Sequence, residues 1–227
     1  MPAAPLRVLI TGFGPFPGII DNASATFAPV LAHHIQQTLP QLQTGFAILP
    51  TEWDAAPRLL RRLLNELRPH LCLHFGVSGA ARGLVLETVA RNSASERPDA
   101  TGWVPLSRVL QPGAPALLMP PIGPFRLMGR ALRDGLPISP SVNAGTYVCN
   151  AVFFHSLWQA RRLVATGPSR RLAAFVHLPV RVGGAGEAED ASLNATDLPL
   201  QQALAGSFSI LSAMAEVSAA AMVPALA

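Results

Sequence analysis

LCLHFGV, residues 71–77, is an unbroken apolar run closed by Gly76 and Val77. Continuous hydrophobicity without alternation is the pattern of a strand covered on both faces, as in the parallel sheets of α/β proteins. The neighbouring segments supply the covering layers. Just before it, AAPRLLRRLLNELRP places apolar residues at helical spacing behind an early proline, which predicts a helix over 55–68. Further upstream, LRVLITGF (6–13) reads as a strand running into the Gly/Pro-rich loop GPFPGIIDN, residues 24–38 as a helix ending before Pro40, and GFAILP (45–50) as a second strand. Downstream, GLVLETVARN is strand-like although Glu87 lies inside it, and 92–115 is a long functional loop rich in Pro, Gly, Ser and Asp. FRLMGRALRDG (125–135) is a helix stopped by Gly135, another helix runs from Cys149 to about Arg162, and RLAAFVHLPV (171–180) is a strand bearing His177. GGAGEAEDASLNATDLP reads as a flexible acidic linker over 181–198, leading to the last helix. Alternating strands and helices of this kind predict an α/β layered sheet with helices on both faces, in one domain spanning residues 1–227.

Composition narrows the function classes. The chain has 227 residues, 50% apolar and 13% charged, which excludes intrinsic disorder. All 17 basic residues are arginine, so Schiff-base chemistry and a P-loop lysine are excluded. A net charge of only +4, without an aromatic-and-basic pattern, gives no sign of a nucleic-acid partner. Cys72 and Cys149 form neither a disulfide framework nor a metal-binding spacing, and the adjacent His33 and His34 cannot share a helix face, so no metal and no cofactor are expected. The N-terminus reads as a first strand and not a signal peptide. The apolar C-terminus is interrupted by Glu216 and Pro224, which favours a buried or partly frayed amphipathic helix over a membrane span. The expected compartment is the cytoplasm.

Three residues carry the chemistry. Cys149 follows the turn-prone Asn143, Ala144 and Gly145 and begins a helix, where unpaired backbone N–H groups favour a thiolate. Its local sequence alone also suits a buried small hydrophobe. Cys72 lies in mid-strand among apolar neighbours and reads as structural. His177 ends a buried strand, where it is either a hydrogen-bonded core residue or a base. Glu87 sits inside an apolar strand, and a carboxylate there needs a partner such as His177 unless it faces solvent. Together they provide a nucleophile, a base and an orienting carboxylate, the set that acyl transfer requires. A serine alternative is Ser78 in Gly76-Val77-Ser78-Gly79-Ala80, which departs from G-x-S-x-G at Ala80 and is followed by a strand-like segment. Glycosyl transfer of the nucleoside phosphorylase kind would need a Gly-rich phosphate loop leading into a helix, and no such loop stands out.

The motifs around these residues resemble the pyroglutamyl peptidase I family of cysteine peptidases over most of residues 6–180. TGFGPF (11–16), Asn22 with Ser24, LPTEW (49–53), HFGVSG (74–79) followed by Leu86-Glu87, AGTYVCN (144–150) and FVHLP (175–179) agree in order and spacing. The resemblance implies an α/β/α sandwich with a mixed, mostly parallel twisted sheet. It also implies a Glu87–Cys149–His177 triad, and ring-binding aromatics at Phe13 and Phe16. The implied substrate is a peptide blocked by an N-terminal pyroglutamyl residue, cleaved after that residue through a thioester. Some members are homo-oligomers, so a homo-oligomer is a further expectation. Pro17, Ala25 and Thr88 depart from the family's usual glycine, tryptophan and arginine, and the loop at 92–115 and the linker at 181–198 have no clear counterpart. An altered pocket of this kind could leave a poorly active pyroglutamyl-peptide-binding homologue.

Overall fold

A strand in the first apolar segment, β1 (Leu6–Phe13), starts the fold, and a short strand β2 (Ile19–Asp21) follows its exit loop. In this computed structural model residues 5–166 and 170–222 are described. Helix α1 (Ala23–Thr38) is started by Asn22, whose side chain accepts the Ser24 N–H. Then come β3 (Leu42–Leu49), α2 (Ala55–Glu66), β4 (Leu71–Val77), β5 (Leu84–Glu87) and the short strands β6 (Ala90–Arg91) and β7 (Leu117–Leu118). Helix α3 (Pro124–Arg133) ends just before Gly135, whose φ of +68° is the left-handed geometry that terminates helices. The chain continues through β8 (Ile138–Ser141), α4 (Val148–Thr166) and β9 (Leu172–Leu178). Three two-residue strands, β10 (Arg181–Val182), β11 (Glu187–Ala188) and β12 (Asp197–Leu198), precede α5 (Leu200–Met222).

The main sheet has six strands in the order β3-β1-β4-β9-β5-β8. The first four are mutually parallel, whereas β5 runs antiparallel to β9 and β8 follows β5 in parallel. The sheet is therefore mixed and mostly parallel, as expected. β4 and β9 occupy its centre and every residue of both is buried, which accounts for their lack of polar alternation. One core lies between the sheet and α1, α3 and α5, with Phe27, Leu31, Met128 and Ile210 among its members. The other lies beneath α2 and α4 and contains Leu60, Phe153, Phe154 and Phe175. Three layers result.

Two departures from the sequence reading bear on the site. Residues 181–198 are not an unstructured linker. β10 pairs with β12, β11 pairs with β2, and a 3-10 turn covers Ala191–Asn194. The polar residues that suggest a linker instead make turns: Asp190 accepts the N–H and hydroxyl of Ser192, and Asn194 exchanges two hydrogen bonds with the backbone of Ala188. The edge strand β8 was also not anticipated, because Pro140 breaks the strand pattern there. At a sheet edge the missing proline N–H can face away from the ladder.

Helix α5 is long and apolar enough over Leu200–Ala220 to cross a membrane by length and composition. Half of that segment is buried within the fold, with Leu204, Ile210, Leu211 and Met214 packed into the first core. Pro224 falls outside the described residues.

Candidate active site

Sheet register decides which side chains meet. Val85 pairs with His177 and Glu87 with Phe175 across the antiparallel β5–β9 ladder. Residues two apart on a strand share a face, so Glu87 lies diagonal to His177 on the same side of the sheet. That side carries α4, whose first turn contains Cys149. His177 Nδ1 lies 2.8 Å from Glu87 Oε1, and both side chains are buried. The other ring nitrogen, Nε2, is left free of Glu87, and Cys149 is near enough to His177 to raise its pKa. The structure thus brings together the three residues singled out in the sequence.

Burial alone would lower the His177 pKa, but the hydrogen bonds and negative charges of Cys149 and Glu87 outweigh it and push it up to about 9. These partners favour the charged form of the imidazole. The two cysteines are not equivalent. Cys72 is fully buried and its thiol is pushed up to about 12 by desolvation, whereas Cys149 opens onto a cleft of about 510 Å³ shared with His177, Glu87 and Phe16. The first helical acceptor at this end of α4 is Tyr147 O, bonded by Ala151 N–H. The N–H groups of Val148, Cys149 and Asn150 precede it and have no partner within the helix.

A missing side chain makes room for the thiol. Gly76 lies beside His177 in the β4–β9 register, and a Cβ there would sit 2.8 Å from Cys149 Sγ and 3.1 Å from Phe175 Cζ. A glycine inside an otherwise apolar strand is a signal of close approach, although its purpose was not legible before the strands were paired. Gly76→Ala is expected to displace Sγ, lowering kcat about 10–100-fold with a stability loss of about 1–3 kcal/mol. Steady-state kinetics together with thermal unfolding check both effects.

Of the two expected aromatics, only Phe16 lines the cleft. Phe13 is 1% exposed, its ring packed on Phe175 at a centroid distance of 6.4 Å. Asn22 and Ser24 fix the loop between these phenylalanines. Ser24 Oγ accepts the Phe13 N–H, and Asn22 Nδ2 donates to Gly14 O.

Several residues of the site were not foreseen. Arg97, delivered by the loop after β6, stacks over the rings of Phe16 (5.4 Å) and Tyr147 (4.8 Å) and donates to Pro17 O. Asn150 is fully buried and binds the backbone of Arg91 and Ser93, anchoring the start of this loop to the helix of Cys149. Thr88 binds Ser141 O and so holds the edge strand beside Glu87. Ser78 also faces the cleft, but its described side-chain hydrogen bond is a long one from Ala80 N–H at 3.4 Å, with no base. Among the described residues no group of three or more His, Cys, Asp or Glu is placed to hold a metal ion.

The pyroglutamyl peptidase family profile matches residues 6–216. The chain belongs to the pyroglutamyl peptidase family. It is 32% identical over 180 residues to a pyrrolidone-carboxylate peptidase of Levilactobacillus brevis, covering 77% of this chain and 82% of that one. It is 34% identical over 174 residues to the corresponding peptidase of Chromobacterium violaceum, covering 76% and 77%. Among solved structures, pyrrolidone carboxyl peptidase from Thermus thermophilus superposes with a TM-score of 0.73 at 28% identity, over 90% of this chain and 98% of that one. A mutant of the Pyrococcus furiosus enzyme superposes with a TM-score of 0.79 at 23% identity over 93% and 99%, a likeness of fold. Family membership makes this chain a cysteine-type peptidase, and the serine alternative is not favoured.

Proposed function

We propose that the cleft hydrolyses the amide bond following an N-terminal pyroglutamyl residue, with Cys149 as nucleophile, His177 as acid and base, and Glu87 as the group that orients His177. The observation that carries this reading is the bond from His177 Nδ1 to Glu87 Oε1 in the cleft that Cys149 also lines, which leaves Nε2 free to serve the thiol. Names of the related peptidases supply the substrate class. The cleft suits an uncharged lactam, with the aromatic face of Phe16 and the aliphatic side chains of Ile19, Val77 and Val85 lining it.

In the first half-reaction the Sγ anion attacks the carbonyl carbon of the scissile amide. A C–S bond forms and the carbonyl electrons move onto oxygen, where the free N–H groups at the start of α4 are suited to receive them. The tetrahedral adduct collapses, the C–N bond breaks, and His177 Nε2 gives its proton to the leaving amine. In the second half-reaction His177 takes a proton from water as the hydroxide oxygen adds to the thioester carbonyl. Loss of the thiolate releases pyroglutamate and restores the imidazolium–thiolate pair.

Fluorophore release from a pyroglutamyl amide tests the reading. Turnover that iodoacetamide abolishes supports it. Turnover insensitive to iodoacetamide but blocked by a fluorophosphonate overturns it.

The pH profile provides a second test. Because His177 must be charged to protonate the leaving amine, kcat/KM is expected to fall on the alkaline side with an apparent pKa near 9 that belongs to the coupled site. The sign for stability is the same. A histidine raised from 6.5 to about 9 on folding stabilises fully below pH 6.5, and that contribution is lost as pH rises through about 9.

A further inference from the structure

The segment after β10 reaches back over the cleft. β11 pairs antiparallel with β2, placing Ala188 opposite Ile19, and Glu189 N–H donates to Gly18 O. Gly186 N–H donates to Asp21 Oδ2, which fastens the start of the same segment. The 3-10 turn that follows is capped by Asp190 and braced by the two bonds between Asn194 and Ala188. Leu193 stands in the middle of this turn and lines the same cleft as Cys149 and His177. Its far side packs on Gly79, where a Cβ would come within 2.6 Å of Leu193 Cδ2. Residues 181–198 thus form a strap fixed at one rim of the cleft, with a leucine laid against bare backbone at the other.

Ile19 and Val77 are at most 8% exposed and belong to the core, whereas Leu193, like Val85 and Phe16, is only half-buried. Leu193 packs against that core while lining the cleft. Its remaining apolar surface is available to a ligand.

We propose that Leu193 is a specificity-determining wall of the lactam site, setting the ring size that the cleft accepts. The inference rests on the pyroglutamyl reading above. A five-membered lactam fits against the isobutyl group, and a six-membered homologue with one more methylene meets it. One methylene in a fitted apolar pocket changes discrimination about 10–200-fold.

The test compares kcat/KM for the pyroglutamyl amide and its six-membered lactam homologue, in wild type, Leu193→Ala and Leu193→Phe. Leu193→Ala is expected to raise KM for the five-membered substrate several-fold and to shift the preference at least about tenfold toward the six-membered one. Leu193→Phe should shift the preference the other way. Equal loss on both substrates, or an unchanged ratio in either folded variant, overturns the proposal. Should the alanine variant not fold, the phenylalanine variant decides alone. Failure of the function reading would look different, because wild type would then turn over neither lactam amide.

Discussion

Replacing Cys149 by alanine is expected to lower kcat on a pyroglutamyl amide by at least about 10⁴-fold while leaving the fold in place. The size follows from covalent catalysis. Without Sγ there is no thioester, and the orienting pair of Glu87 and His177 has no nucleophile to serve. In hydrolases with an activated nucleophile, losing that group costs nearly as much as losing the whole set of catalytic residues. Stability should change little, because the side chain stands at a cleft and only one sulfur atom is removed. Thermal unfolding should shift by a few degrees at most. Cys149→Ser should also be severely impaired, since its hydroxyl lacks the intrinsic nucleophilicity of the thiol. Cys72→Ala provides the contrast. Its thiol is pushed up to about 12 in the sheet interior, so removing it should reduce stability through packing and leave the substituted enzyme's chemistry unchanged.

Glu87→Gln is the second large effect. The carboxylate accepts from His177 Nδ1 and, with Cys149, keeps the imidazole charged despite its burial. An amide of nearly the same shape removes that negative charge and can present its NH₂ group to Nδ1, which favours the wrong tautomer. The analogous change of Asp to Asn in a serine triad costs about 10⁴-fold in kcat. A loss of about 10²–10⁴-fold is expected here, mainly in kcat, with KM little changed. The alkaline limb of the pH profile should also move below 9, because one of the groups that raises His177 has been neutralised. A packing role alone would lower stability without moving that limb. Wild-type turnover with an unshifted limb would remove Glu87 from the mechanism.

Much of this was legible in the sequence because it rests on short-range signals. β4 has the bounds expected from its apolar run, and α2 begins where Pro57 and the helical spacing place it. Glu87 stood out because a carboxylate in an apolar strand needs a partner, and the partner is His177. Other features depend on pairings that a single segment does not reveal. Gly76 matters only once β4 lies beside β9 and α4 crosses them. The strands of the strap are two residues long, too short for a periodic pattern, and their Asp, Asn and Gly residues look the same in a linker as in a series of tight turns. Phe13 shares the face of Leu9 along β1, in the core beneath α2 and α4, whereas Phe16 lies beyond the strand and lines the cleft.

The Arg97 stack over Phe16 and Tyr147 has a similar origin. Three separate segments meet there: the loop after β1, the long loop after β6 and the turn before α4. No spacing along the chain encodes that meeting. The loop at 92–115 brings Arg97 to the cleft.

Trapping the acyl-enzyme tests the central claim most directly. Wild-type protein is mixed with a pyroglutamyl amide, quenched in acid within the first turnovers, digested and mapped by mass spectrometry. A pyroglutamyl group on the peptide containing Cys149, absent from Cys149→Ala and discharged by hydroxylamine, is the predicted result. The same group on the peptide containing Ser78, or turnover by Cys149→Ala at the wild-type rate, would contradict it.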